Sequence, residues 1–420
     1  MYFKQMKRFL ALTVVLAFVG VLIPNPSLAA AKAGSACPKV GKIENVGSKK
    51  FTCVKSGKKL VWNKGVATKN STSQPGSKSE AALPVDKWQI PTKFPSSFED
   101  LYENRAGISY AVWKKTSADI KSNVANVPPL EILIGPNTSP WSKNHEEVIS
   151  LVSKIFTKQI NPKKLYVVFH NYSDVSWADT KVKEILPSDE YSEWLRNDGG
   201  MSGNCQADLR DCLAAKIKTS RNNQVSFLLI GVSNQVGMLE INGSKYGNVG
   251  VTEQNKKGML VAHEFIHTLQ SGPMAIAQTL ELANRPPAWI WEGSATLFQN
   301  LAVNSDSYQN FMNYRKDSLG ELIERQGIQE DFINNYLKQK NWIEDPWRGG
   351  QSPDWSYQLG ARVMEILVAL KGSDSTLEIF NLMSQKKSFE SSFKTAFGIT
   401  YEDAVPVIAK TLAANWKAGL

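Results

Sequence analysis

The chain has 420 residues, of which 42% are hydrophobic and 21% are charged, so it can bury a large core and is not intrinsically disordered as a whole. Its formal net charge is +10, but the charge is unevenly placed: residues 1–29 carry +3, residues 30–87 carry +9 and residues 88–420 carry −2. The bulk of the chain is therefore not basic, and it holds no recognised nucleic-acid-binding motif, which argues against a nucleic-acid partner.

The first 29 residues have the pattern of a secretory signal peptide. Lys4, Lys7 and Arg8 provide the positive start. An uncharged apolar stretch, Phe9–Ile23, follows, and Ser27-Leu28-Ala29 offers a small-x-small cleavage site. The alternative is a membrane anchor, but this stretch is shorter than the ~20 residues that a bilayer requires. The sequence therefore predicts an exported protein, secreted or associated with the cell envelope, with no membrane-spanning segment after cleavage.

Export would place the cysteines in an oxidising compartment, where an even number of them indicates disulfides. The chain has four, at Cys37, Cys53, Cys205 and Cys212. Proximity in sequence favours the pairs Cys37–Cys53 and Cys205–Cys212 over the two other connectivities. A cysteine metal site is the alternative, although no C-x-x-C spacing is present.

Residues 30–63 predict a small, lysine-rich β module that the first of these disulfides would hold together. Short β-prone runs flank a Ser56-Gly57 turn, and Trp62 closes the segment. The segment resembles the Cys-Lys-Gly modules that begin many secreted bacterial proteins. Residues 64–87, rich in Ser, Thr, Gly and Lys, predict a flexible linker. The lysines would suit an anionic polymer of the cell envelope, while a soluble head or a propeptide is an equally open interpretation.

Residues 88–420 predict one α+β domain in which strands come first and helices follow. The mainly sheet part, 88–253, has predicted strands at 130–135, 165–170, 225–232 and 236–242 and helices at 98–122 and 146–156. The helical part, 254–420, begins with a helix from about 254 and continues at 288–301, 307–325, 331–340, 355–371, 375–386, 389–397 and 400–416. Two of the four histidines, His145 and His170, have no partner in sequence. We expect His145 to be a solvated residue at a helix start and His170 to be structural.

The pentapeptide His263-Glu264-Phe265-Ile266-His267 lies in an apolar run that predicts a buried helix. Four residues turn an α-helix by about 400°, so both imidazoles point the same way, one turn apart, and can bind one metal ion. Glu264, about 100° round the helix, can reach a water on that metal without being a ligand. The pattern H-E-x-x-H on a helix is typical of zinc peptidases, in which the glutamate is the general base.

A zinc hydrolase needs a third protein ligand and one open position. Glu292 is the one carboxylate in the apolar segment 289–298, and a buried carboxylate requires a cation or several donors. Zinc held by the two histidines would supply that cation, so Glu292 is the predicted third ligand. The alternative is a glutamate that faces the dipole at a helix start. Gly293 would permit close approach of another helix, and Thr296 is the one nearby candidate for orienting the imidazoles.

These motifs resemble the gluzincin metallopeptidases, the group that contains thermolysin and the zinc aminopeptidases. The resemblance covers about 225–420, more weakly 90–224, and rests on H-E-F-I-H, on W-I-W-E-G-S-A-T at 289–296 and on W-S-Y-Q-L-G at 355–360. It implies a zincin-like domain: a mixed sheet with an edge strand, the histidine-bearing helix and a helical C-terminal part. Glu292 matches the third zinc ligand of the group. Tyr357, three residues before Gly360, matches the tyrosine that stabilises the oxyanion in aminopeptidase-like members.

The resemblance departs from the group at two places. The gap from His267 to Glu292 is longer than is typical, and the exopeptidase motif G-x-M-E-N is absent as such. The segment 237–242, G-M-L-E-I-N, is a loose echo in which Glu240 would hold a substrate α-amine; an ordinary edge strand is the alternative.

As a whole, the resemblance implies a secreted peptidase that uses Zn²⁺ to hydrolyse peptides or proteins. Two other functions stay open: a non-catalytic protein that binds the cell envelope through a metallopeptidase-like domain, and a zinc amidase that acts on non-peptide amides of the envelope.

Overall fold

The computed structural model describes residues 32–46, 49–67, 88–206, 210–212, 215–233, 239–241, 244–246, 252–281, 284–318, 323, 327–344 and 354–419. The chain divides into two compact units, Met1–Leu83 and Pro84–Leu420. The predicted signal peptide and most of the predicted linker lie outside the described residues. No helix in the described part of the chain is long and apolar enough to cross a membrane.

The first unit is an antiparallel sheet with a very small core. Its strands are β1 (Ile43–Val46), β2 (Lys49–Ser56), β3 (Lys59–Trp62) and β4 (Val66–Ala67), and β2 pairs with the other three. A tight turn at Gly57, whose φ is +62°, joins β2 to β3. The disulfide Cys37–Cys53 lies in the core with Phe51 and Trp62. Because so few residues are buried, the disulfide is a main source of stability for this unit.

The second unit is α+β and contains a mixed four-stranded sheet. The described strands of the whole unit, in chain order, are β5 (Leu130–Ile134), β6 (Lys164–His170), β7 (Cys205–Gln206), β8 (Asp211–Cys212), β9 (Ala215–Thr219), β10 (Val225–Gly231), β11 (Leu239–Ile241) and β12 (Ser244–Tyr246). Four of them form the mixed sheet. The sheet order is β5-β6-β10-β9, with the first three strands parallel and β9 antiparallel at the edge. The second disulfide, Cys205–Cys212, joins β7 to β8.

Helices pack on both faces of this sheet. They are α1 (Ile108–Ser122), α2 (His145–Ile155), α3 (Val175–Ile185), α4 (Ser188–Asp198), α5 (Glu253–Lys256), α6 (Met259–Ile276), α7 (Ala288–Val303), α8 (Tyr308–Asp317), α9 (Glu330–Tyr336), a π-helix (Asp354–Leu359), α10 (Gly360–Lys371), α11 (Asp374–Ser384), α12 (Phe389–Phe397) and α13 (Tyr401–Lys417). Short 3-10 turns lie at 105–107, 172–174, 200–204 and 221–223.

The apolar residues of the central strands alternate between two cores, as a two-period strand requires. Val167 and Phe169 face the larger core, which includes α1, α2, α6 and α7. Val168 faces the smaller core, in which Val182 of α3 and Trp194 of α4 are buried. The helix α6 packs against β9 and β10, so the edge of the sheet lies directly beside the histidine-bearing helix.

These elements refine the sequence predictions. Within the segment 236–242, expected to be an edge strand, Leu239–Ile241 is a strand and the other residues lie outside the described ones. Among the described residues it pairs with Ser244–Tyr246, while the antiparallel edge of the main sheet is β9. The helix expected at 98–122 begins only at Ile108, after a series of turns. The helices α3 and α4 were not predicted.

Candidate metal centre

The helix α6 places three of the predicted site residues side by side in the core. It begins after Gly258, whose φ of +86° is a left-handed conformation that only glycine adopts readily. His263, Glu264 and His267 are 6%, 5% and 5% exposed. A helix that is apolar on almost every face must be enclosed by other elements, and α2, α7, β9 and β10 enclose this one.

The helix α7 brings the fourth residue to the same place. It begins directly after two prolines, which suit the start of a helix, and Glu292 lies in its second turn, 8% exposed. The position is too far along the helix for Glu292 to cap its start. Glu292 Oε2 lies 3.2 Å from Nε2 of His267 and 3.4 Å from Nε2 of His263.

The three candidate ligand atoms have the spacing of a tetrahedral metal site. The two histidine Nε2 atoms lie 3.0 Å apart, which completes a triangle with the 3.2 and 3.4 Å separations to Glu292. Zinc bonds of about 2.0–2.1 Å in tetrahedral geometry place ligand atoms about 3.3–3.4 Å apart. The side chains therefore fit such an ion without rearrangement of the helices, and the fourth corner of the tetrahedron is left to a non-protein ligand.

A hydrogen-bond network fixes which nitrogen of His267 faces this triangle. The Gln270 amide donates from Nε2 to Trp291 O at 3.0 Å and to Ser294 Oγ at 2.6 Å, so its Oε1 is the atom that meets His267 Nδ1, at 2.7 Å. The proton of the neutral imidazole must then be on Nδ1, which leaves a lone pair on Nε2 that faces the triangle. Lone pairs that converge in a buried space require a cation. A hydrogen-bond acceptor on the other ring nitrogen, such as Gln270 Oε1 on Nδ1 here, is typical of metal-binding histidines.

The charges of the site reinforce one another. Burial opposes ionisation of Glu292, but when the imidazoles are protonated the charge of His267 and hydrogen bonds from both rings outweigh it, so the pKa of Glu292 then lies well below its ordinary value. Burial raises the pKa of Glu264, and the two imidazoles counter this effect only in part. The carboxyls therefore differ: Glu292 is held as an anion, whereas Glu264 has an increased affinity for a proton.

Tyr357, the third residue of the W-S-Y-Q-L-G motif at 355–360, lies at the same site. Its ring stacks on His263 with centroids 5.8 Å apart and planes at 8°. Burial, together with the charges of the neighbouring Glu292 and Glu264, raises the pKa of Tyr357 well above its ordinary value. The tyrosine is therefore protonated and available as a donor across the neutral pH range.

A pair of glycines brings Tyr357 to Glu292. A Cβ on Gly293 of α7 would lie 2.7 Å from Cα of Gly360, and one on Gly360 would lie 2.6 Å from the carbonyl oxygen of Trp289. These distances leave no room for a side chain at position 293 or at position 360. The close approach that Gly293 was predicted to permit is thus made with Gly360, the glycine that follows Tyr357 in the motif.

A buried ion cluster holds α10, which continues from the π-helix that bears Tyr357. Glu365, 3% exposed, accepts hydrogen bonds from Arg315 Nε at 2.8 Å, from Arg362 Nη1 at 3.1 Å and from Ser109 Oγ at 3.2 Å. Removing one member would leave a buried charge without its partner, so the cluster fixes the helix strongly. Neither this cluster nor the role of Gln270 was predicted from the sequence.

Two further residues, Glu240 and Thr296, were also predicted to take part in the site. Glu240 lies on β11 opposite Lys245, but its side chain falls outside the described residues, so its role stays a prediction. Thr296 does not orient a histidine: its hydroxyl is buried without a hydrogen-bond partner among the described residues. That role falls to Gln270, one turn beyond His267 on the same face of α6.

His170, Cys205 and Cys212 form a second cluster of metal-ligating residue types. His170 is fully buried, with its Nδ1 3.8 Å from the sulfur of Cys212. Both sulfurs are joined in the disulfide, so neither carries the thiolate charge that a metal requires. The disulfide interpretation of these cysteines is confirmed.

Comparison with known proteins adds no assignment for the chain. No protein-family model, no curated protein and no solved structure matches it. The chemistry of the site therefore has to be argued from its own geometry.

Proposed function

We propose that this chain is an exported zinc-dependent peptidase with a zincin-like catalytic domain of gluzincin type. The observation that supports it most is the triangle of His263 Nε2, His267 Nε2 and Glu292 Oε2, with sides of 3.0 to 3.4 Å, beside a buried carboxylate, Glu264. Two imidazoles and one carboxylate, with a fourth position open, are the ligand set of catalytic zinc in hydrolases. The two disulfides favour an oxidising compartment and so support export.

Zinc held by His263, His267 and Glu292 would supply a Lewis acid, able to activate water and to polarise a carbonyl. Glu264 accepts the proton of the attacking water and delivers it to the leaving amine, a task for which its raised proton affinity is suited. The hydroxyl of Tyr357 donates a hydrogen bond to the oxyanion as charge develops on the carbonyl oxygen. Gln270 holds His267 in the tautomer that leaves Nε2 free for the metal.

The test combines metal analysis with hydrolysis of peptides. Purified full-length protein should contain about one zinc per chain and should cleave members of a peptide library, and a chelator should abolish the cleavage. Glu264→Gln should keep the metal and lower kcat about 100- to 10,000-fold. Glu281→Gln, at an exposed glutamate near the end of the loop after α6, is the matched control and should change neither quantity.

Each contrary result has a definite meaning. Protein without metal would overturn the proposal at its base, and full activity of Glu264→Gln would show that the general base is misassigned. Bound zinc with no cleavage of any peptide would favour a non-catalytic envelope-binding protein. Bound zinc with cleavage only of non-peptide envelope amides would favour the amidase.

A further inference from the structure

An arginine lies next to the metal centre in the loop between α6 and α7. The guanidinium carbon of Arg285 is 4.8 Å from the ring centroid of Trp291 and 6.0 Å from that of Trp342. The ring of Trp291 in turn stacks on His267, with centroids 5.5 Å apart and planes at 21°. A single indole therefore separates this guanidinium from a candidate zinc ligand.

Within the described part of the chain, the positive charge of Arg285 is not paired with an anion. Its side chain makes one hydrogen bond there, from Nε to the carbonyl oxygen of Leu280 at 3.2 Å. Glu292 and Asp198 favour its charge only from a distance, while burial opposes it and lowers its pKa. In the proposed enzyme, Glu292 would be committed to zinc. Arg285 is half-buried, so an anion from outside the protein can reach its guanidinium and would satisfy the N–H groups that the chain leaves without an acceptor.

The strand β9, the antiparallel edge of the main sheet, packs against α6. An extended peptide can pair with a strand at such an edge by backbone hydrogen bonds. Lys216 of β9 is already committed, because its Nζ donates to the carbonyl oxygens of Asp198, at 3.3 Å, and Gly200, at 2.5 Å. The two terminal nitrogens of Arg285, in contrast, make no hydrogen bond within the described part of the chain.

We propose that Arg285 binds a carboxylate of the substrate within a few residues of the scissile bond, an inference that rests on the proposed peptidase function. A planar guanidinium matches a carboxylate with two parallel hydrogen bonds, and stacking on indoles holds its plane fixed. The carboxylate has two sources, the C-terminus of a peptide or an acidic side chain. The first would make the enzyme a carboxy-terminal exopeptidase, and the second an endopeptidase that prefers acidic residues.

Matched peptides distinguish the sources. One pair differs only in a C-terminal acid or amide, and further pairs differ in Asp or Asn, and in Glu or Gln, at the three positions after the cleaved bond. We expect the wild-type protein to favour the acid of at least one pair by about 10- to 100-fold in kcat/KM, mainly through KM. Arg285→Met should bring that ratio close to one, and Arg285→Lys should leave an intermediate ratio.

The control variant is Arg105→Met, which removes a similar stack of guanidinium on an aromatic ring, 4.7 Å from Tyr102, that no candidate ligand shares. It should keep the wild-type ratio. The thermal midpoint and zinc content of each variant are measured alongside, so a misfolded Arg285→Met is recognised, and Arg285→Lys then decides. Equal cleavage of acid and amide in every pair by the wild-type protein would refute the inference, as would a preference that Arg285→Met leaves intact.

A binding measurement keeps this inference separable from the peptidase proposal. N-acetylphenylalanine and its amide are titrated into the full-length protein as purified, without reference to turnover. The acid should bind at least tenfold more tightly than the amide, and Arg285→Met should remove the difference. If the acid is bound through the metal instead, the difference survives in Arg285→Met and the inference is wrong. If no peptide is cleaved but this difference behaves as expected, the peptidase proposal fails and the carboxylate site stands.

Discussion

The contact between Gly293 and Gly360 offers the sharpest test of how the site is assembled. In Gly360→Ala the new Cβ would lie 2.6 Å from Trp289 O and 3.1 Å from Cα of Gly293, and both are backbone atoms that cannot rotate away. Ordinary contact begins near 3.4 Å, so α7 and α10 must separate by about 0.8 Å, a strain of the kind that overpacked cores show.

The expected magnitude follows from two opposed effects. Overpacking against backbone costs about 3 kcal/mol, the upper end of the usual range, while alanine favours a helix over glycine by about 1 kcal/mol. The free energy of unfolding should therefore fall by about 2 kcal/mol. Since the contact of α6 with α7 is untouched, zinc should stay bound. Tyr357 moves with α10, so turnover should fall about tenfold or more because its hydroxyl no longer reaches the oxyanion of the transition state.

Urea unfolding, zinc analysis and peptide hydrolysis measure these three quantities. Gly272→Ala is the matched control: it lies on α6, gains the same helix propensity and would meet Ile160 O at 2.8 Å, away from Glu292. It should lose stability but keep turnover. A double-mutant cycle adds a stricter criterion, because Tyr357→Phe should cost little further activity in the Gly360→Ala background. The reasoning is refuted if Gly360→Ala is as stable as the wild type. It is also refuted if the activity losses of Gly360→Ala and Tyr357→Phe simply add in the double variant.

Three further outcomes are expected. Gln270→Leu should weaken zinc binding about 10- to 100-fold, because His267 loses the partner that sets its tautomer, and a chelator competition that shows an unchanged affinity would exclude this role. Burial lowers the pKa of His170 from 6.5 to about 4, so the unfolded chain binds more protons between these values. Stability should therefore be complete above about pH 6.5 and decline by up to about 3 kcal/mol as the pH falls to about 4; His170→Leu should flatten this slope in urea titrations, and an unaltered slope would assign it to other groups. Replacing Cys37 and Cys53 by serine should cost the first unit about 3 kcal/mol, seen as faster amide exchange in β1–β3 with unchanged exchange in α6.

The sequence predicted best the elements that are buried on most sides, because burial leaves a recognisable run of apolar residues. The strands β5, β6 and β10 are short apolar runs, and α6 and α7 are apolar on nearly every face, so each is recognisable without its neighbours. The edge strand β9 was missed because its sequence, A-K-I-K-T, alternates with lysine and resembles a solvated loop. The helix α4 was missed for a similar reason, since it buries little besides Trp194.

Two predictions for single residues were wrong, each for its own reason. His145 was expected in solvent because acidic residues follow it, yet it is 5% exposed and its ring lies 4.3 Å from that of Phe169. Thr296 was chosen for its position near Glu292, whereas the residue that orients His267 is found by following the helix from the histidine itself. An i, i+3 neighbour lies on the same face, so Gln270 was accessible to that argument.

The spacing of the two later motifs is explained by a single helix crossing. In one, Glu292 precedes Gly293; in the other, Tyr357 precedes Gly360 by three residues, nearly one helical turn. The two glycines meet where the helices cross, so each motif carries one functional side chain at a fixed offset from the contact. The tyrosine reaches the carboxylate only because neither helix has a Cβ at that point. A glycine beside each functional residue is therefore part of the site, and its loss should displace Tyr357 even though every candidate ligand is retained.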